Sequence, residues 1–189
     1  LHFTIHSFPT RRSSDLEENA NEDQVAAALQ ALDEEFVDYN ELRVAPLKDI
    51  VECIGRDYPG ARRKAEAMTK ALCAAYDQTN RLSMDYLSDK PKREVRKILS
   101  DTYGLSPYAE AAVTLRGFGG HAIPVDELLL EALKLKDSAH PESDVPDCQG
   151  FLERVIAGKD GLVSHLTLRS VAASVQARVE KEWQRRRKE

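Results

Sequence analysis

Gly104-Leu105-Ser106-Pro107-Tyr108-Ala109-Glu110-Ala111-Ala112-Val113, followed by Gly119-Gly120-His121-Ala122-Ile123-Pro124-Val125-Asp126, is the stretch whose reading decides the fold. A glycine-containing turn here separates two helices, the second predicted near residues 107–117. Such a turn exposes backbone N–H groups at a helix N-terminus, an arrangement that binds a phosphate without any lysine. Gly104, Leu105 and Ser106 would supply that grip. Asp126 then falls at the first turn of another helix, continued by Leu128, Leu129, Ala132 and Leu133. From the residues alone Asp126 is an ordinary helix-end carboxylate.

Outward from this stretch the apolar residues recur at helical spacing. Val25, Leu29, Leu32 and Phe36 make one stripe, and Ala65, Met68, Leu72 and Tyr76 another. Punctuation falls where helices start and stop. Pro46 opens a segment that ends near Gly55, Pro59-Gly60 precedes a second, and Ser83 and Pro91 start two more. Helices are predicted at 124–136 and 146–157, with a loop over 137–146. The last helix, from about residue 161, carries Leu168, Val171, Val175 and Val179 on one side and ends in Arg185-Arg186-Arg187-Lys188. Alternating β-branched runs are hard to find, so the predicted fold class is all-α.

With 189 residues the chain is long enough for one domain with a sizeable core or two small subdomains. Cys53, Cys73 and Cys148 are widely spaced and match neither a disulfide framework nor a metal site, which points to small core residues in a reducing cytoplasm. No apolar run reaches the roughly twenty residues of a membrane span, and mean hydropathy is -0.48. A soluble cytoplasmic monomer with no cofactor and no membrane partner is expected.

Phe8-Pro9-Thr10-Arg11-Arg12-Ser13-Ser14-Asp15-Leu16 reads as one frame of a common sequencing adapter. Residues 1–16 are therefore expected to be non-native, to pack poorly and to stand in for a missing N-terminus. The segment's Arg11, Arg12 and Asp15 make the rest of the chain one unit more acidic than the whole chain's net charge of -5.

The hairpin-to-aspartate unit resembles that of the endonuclease III-type helix-hairpin-helix (HhH-GPD) DNA glycosylases. In that family a Gly-hydrophobic-Gly turn leads to a lysine and Thr-Ala, and the aspartate of a Pro-Val-Asp turn follows the lysine by eighteen residues. Tyr108 to Asp126 is also eighteen residues. Upstream, Ile50, Ile54-Gly55 and Lys64-Ala65 resemble the family's Ile-Gly and Lys-Ala segment, and Asn19 to Val25 resembles the stretch that opens its core. Phe151-Leu152-Glu153 and His165-Leu166 resemble two later helices. The resemblance implies a helical core over 17–136 with C-terminal helices over 137–189 packing on it.

It further implies a base-excision DNA glycosylase, a hydrolase, with Asp126 as the catalytic carboxylate and double-stranded DNA, damaged or mismatched, as partner. Tyr108 stands where bifunctional members carry the lysine that forms a Schiff base, and a phenol cannot form that imine. A monofunctional enzyme without lyase activity is the implied chemistry. Tyr108 itself is read as a packing residue. Ser106 replaces the hairpin's second glycine, and Ala109-Glu110 stands in place of Thr-Ala. The iron-sulfur cysteine pattern of many relatives is absent. Because the chain is acidic, DNA contact would need local basic clusters, with Arg62-Arg63-Lys64 the leading candidate and Lys90 to Lys97 and the C-terminal run as others. Each cluster could equally be a solvated helix face. His121, beside two glycines, is read as structural or solvated. The rival to an enzyme is a non-catalytic module that keeps the fold for nucleic-acid binding or protein interaction.

Overall fold

The computed structural model describes residues 14–186. Among them every regular element is helical and no strand occurs, as the apolar spacing predicts. The chain divides into two compact units after Gly120.

The first unit is a set of helices around one core. α1, Glu22–Glu35, starts at a reciprocal cap: the Gln24 N–H donates to the Asn21 side chain at 2.8 Å and the Asn21 N–H to the Gln24 side chain at 3.0 Å. A short α2, Tyr39–Val44, follows Asp38, whose carboxylate accepts from the Asn40 and Glu41 amides. α3, Leu47–Ile54, begins directly after Pro46 and stops at Gly55, whose φ of +96° no ordinary side chain favours. α4, Ala61–Thr79, buries Ala61, Lys64, Ala65, Met68 and Leu72 along one face. α5, Lys92–Asp101, follows Pro91, and α6 is Pro107–Phe118. Leu16, Leu32, Ile50, Leu72, Leu87 and Leu99 meet in the shared core. Burying each such side chain contributes about 1.5–3 kcal/mol before the entropy of ordering is subtracted.

Ser83 does not open the helix predicted there. Its hydroxyl accepts from the Asp85 N–H at 3.0 Å, and only a single 3-10 turn, Asp85–Leu87, forms before Pro91. That bond is of the kind an N-cap serine makes to the second amide of a helix, yet only one turn follows it.

The expectation of poor packing for residues 1–16 is not met at its end. Residues 14–17 are helical, Leu16 and Ser14 are fully buried, and Asp15 is nearly so. Residues 1–13, with His2 and His6, lie outside the described residues, as do Arg187 and Lys188 of the basic tail.

The second unit holds α7, Glu127–Leu135, α8, Val145–Val155, and α9, Gly161–Arg186. α9 packs lengthwise on α7, setting Ala172, Val175 and Val179 against a cluster that includes Leu129 and Leu133. Two ion pairs join these helices, Arg169 with Asp126 and Arg186 with Glu131. No helix among the described residues is long and apolar enough to cross a membrane.

Candidate nucleic-acid interface

The hairpin is built as the sequence reading expects, from α5, a turn and α6. Gly104 sits at φ +64°, the left-handed conformation that ends α5. Two of the expected phosphate-gripping amides are spent inside the turn: Gly104 N–H donates to the Ser100 carbonyl at 3.0 Å and Leu105 N–H to the Leu99 carbonyl at 3.1 Å. The Leu105 side chain is buried in the core and fixes the turn from within. Ser106 caps α6, its hydroxyl accepting from the Ala109 N–H at 3.2 Å, and Pro107 follows at the first helical turn. The two helices are braced by a two-pronged bond from Arg96 to Glu110, at 2.7 and 3.2 Å. This gives Glu110, which departs from the family's Thr-Ala, a structural role.

Four residues that the sequence reading did not single out, Lys70, Glu17, Glu18 and Arg116, make contacts with the turn, with α6 or with each other. Lys70 lies over Gly104, so close that a Cβ there would meet its ammonium nitrogen at 2.8 Å. The Ser106 hydroxyl donates to the Glu18 carboxylate at 3.2 Å, and Arg63 pairs with the same carboxylate oxygen at 3.1 Å. Glu17 receives both prongs of Arg116 at 2.7 Å, and the Tyr108 hydroxyl lies 3.5 Å from it. Tyr108 is itself buried, so the packing role read for it agrees with its position.

The basic cluster over 62–64 does not face one way. Arg62 is exposed and pairs with Glu66, and Arg63 is half exposed against Glu18. Lys64 is a correction to the expected DNA contacts: it is 1% exposed, and its ammonium donates to the Leu16 and Glu18 carbonyls. Successive helix residues are about 100° apart, so three in a row cannot share a surface, and Lys64 falls on the same face as Ala61, Ala65 and Met68. Along α5, Arg96 is committed to Glu110 and Lys90 to Glu94, while Lys92, Arg93 and Lys97 are exposed.

In the second unit Asp126 caps α7. One carboxylate oxygen accepts from the Leu129 N–H at 2.8 Å, and the other faces Arg169 at 3.3 Å. The aspartate side chain is fully buried and Arg169 is 10% exposed. Arg169 went unnoticed in the sequence, although a signal existed. It lies four residues after buried His165 and three before buried Ala172, a charge set beside the apolar stripe of α9. His121 is held by the chain, its Nε2 2.6 Å from the Glu153 carbonyl, which fits a structural role. Among the described residues no cluster of three or more His, Cys, Asp or Glu side chains could hold a metal ion.

This arrangement of helices is the helix-hairpin-helix DNA glycosylase fold. The chain is similar to endonuclease III, solved in a non-covalent DNA complex, with a TM-score of 0.65 and 20% identity over 89% of this chain and 73% of that one. It is similar to the apo form of Clostridium acetobutylicum 8-oxoguanine glycosylase/lyase, with a TM-score of 0.64 and 17% identity over 84% of this chain and 57% of that one. It also resembles H. pylori 3-methyladenine DNA glycosylase (MagIII) bound to 1,N6-ethenoadenine, with a TM-score of 0.62 and 17% identity over 97% of this chain and 87% of that one. No protein-family model matches the chain, and no curated protein does.

Proposed function

We propose that the chain binds double-stranded DNA, damaged or mismatched, and removes a base without cutting the strand. The observation that carries this reading is Asp126, a buried carboxylate at the head of α7, eighteen residues after Tyr108. A carboxylate held at that point can stabilise positive charge developing on a sugar as the base departs and can activate water. Tyr108 supplies no amine, so the strand-cleaving step has no nucleophile there. Backbone contacts would come from the hairpin with Ser106, and from exposed Arg62 and Arg63 and the nearby Lys70. The structural neighbours support the reading, since DNA glycosylases carry this fold.

A second reading, a DNA-binding module without catalysis, draws support from the Asp126–Arg169 ion pair, which engages the carboxylate before any substrate arrives. An excision assay on a panel of damaged duplexes, developed with alkali, separates the two. Alkali-dependent breaks at the lesion establish the enzyme. Binding without breaks on every lesion, with Asp126→Asn binding equally well, establishes the module.

A further inference from the structure

One departure from the glycosylase hairpin touches a distant part of the chain. Ser106 stands where the second glycine would be, and its hydroxyl donates to Glu18, eighty-eight residues earlier in the chain. The same carboxylate oxygen takes Arg63, an exposed cation near the start of α4. A helix N-terminus attracts an anion through its partial positive charge, and here an anion is already present, supplied by the chain. We propose that Glu18 is a built-in competitor for the DNA phosphate, holding Ser106 and Arg63 until a duplex displaces it.

The proposal rests on the reading that the hairpin grips DNA. Its geometry fits displacement. Glu18 is 19% exposed and Arg63 is 55% exposed, so solvent reaches the pair from the arginine side and screens part of its attraction. The backbone beneath it is fixed separately, because Lys64 donates to the Leu16 and Glu18 carbonyls and Tyr58 to the Leu16 carbonyl. The carboxylate can therefore swing out while its main chain stays. Once released, Ser106 has a hydroxyl proton and Arg63 a guanidinium to offer a phosphate oxygen, and the departing carboxylate no longer repels it.

The test compares wild type with Glu18→Gln by fluorescence anisotropy on a short undamaged duplex at low and moderate salt. Glutamine keeps the size and an acceptor oxygen but removes the charge. Glu22→Gln, an exposed carboxylate on the first turn of α1, controls for general charge. We expect Glu18→Gln to bind about three- to tenfold tighter, corresponding to about 0.7–1.4 kcal/mol. Glu22→Gln should change affinity less than about twofold, and Glu18→Gln should have no further effect in an Arg63→Ala, Ser106→Ala background. Affinity unchanged or weakened in Glu18→Gln, with wild type binding DNA, overturns the proposal alone. An equal gain in Glu22→Gln does the same. If neither wild type nor Glu18→Gln binds DNA at any salt concentration, the hairpin reading falls with it. Matching melting curves for the variants confirm that the comparison is between folded proteins.

Discussion

Arg169 holds the Oδ2 atom of Asp126 at 3.3 Å, while the aspartate's other oxygen caps the helix it begins. The carboxylate thus has two partners of opposite consequence. The Leu129 amide belongs to its own helix, but the guanidinium arrives from forty-three residues downstream and ties α9 to α7. Removing either member of a buried pair leaves the other charged, desolvated and unmatched. Arg169→Gln and Asp126→Asn should therefore each lower stability by about 3–5 kcal/mol in urea unfolding. In the double substitution the two effects should not add. A loss below about 1 kcal/mol in the single variants would show that water reaches the pair.

The chemistry at Tyr108 and Asp126 is checked with trapping and kinetics. Borohydride should capture no covalent adduct, because imine formation needs an amine with a free lone pair. Excision should fall by a factor on the order of 10² or more in Asp126→Asn, the scale of losing a group that stabilises transition-state charge. The measurement belongs at a temperature where circular dichroism shows the variant folded. Unchanged excision in the folded variant would remove Asp126 from the reaction and leave it a helix cap.

The three residues 62–64 should part company on substitution. Arg62→Ala with Arg63→Ala should weaken DNA binding and flatten its salt dependence, as expected when phosphate contacts are lost. Lys64→Ala should act on folding, because the Glu18 carbonyl loses its buried donor, at about 1–3 kcal/mol, while the Leu16 carbonyl keeps the Tyr58 hydroxyl. Equal salt slopes for wild type and the double variant would take both arginines off the DNA.

Gly104→Ala tests the turn. A side chain at φ +64° costs about 1–2 kcal/mol, and the new Cβ would also push Lys70 aside. Reduced stability together with weaker DNA binding is the expected pair of results. Normal binding at reduced stability would place the hairpin away from the duplex.

Much of the fold was legible because its boundaries are written in residues with local consequences. Pro46, Pro91 and Pro107 each precede or begin a helix, and Gly55, Gly104 and Gly119 each end one with positive φ. Ser83 misled because a serine can open a helix or merely satisfy one amide, and a local bond gives no sign of which will occur. α2 went unseen because six residues are too few to show a periodicity. The hairpin and Asp126 could be placed from spacing, but their partners could not. Glu18 reaches Ser106 across eighty-eight residues and Arg169 reaches Asp126 across forty-three, distances over which sequence alone carries no register. Lys64 was misplaced on the DNA side with its two neighbours, although its register with Ala61, Ala65 and Met68 sets it on the buried face of α4.

Lys64 also bears on time. With its ammonium pinned to the carbonyls of Leu16 and Glu18, exposing the hairpin does not require that segment to unfold. It requires only that the Glu18 carboxylate leave Ser106 and Arg63 and turn about its own side-chain bonds, a local change far faster than unfolding of a segment. The competing carboxylate would weaken the hold on DNA while leaving the rate of association to diffusion and charge.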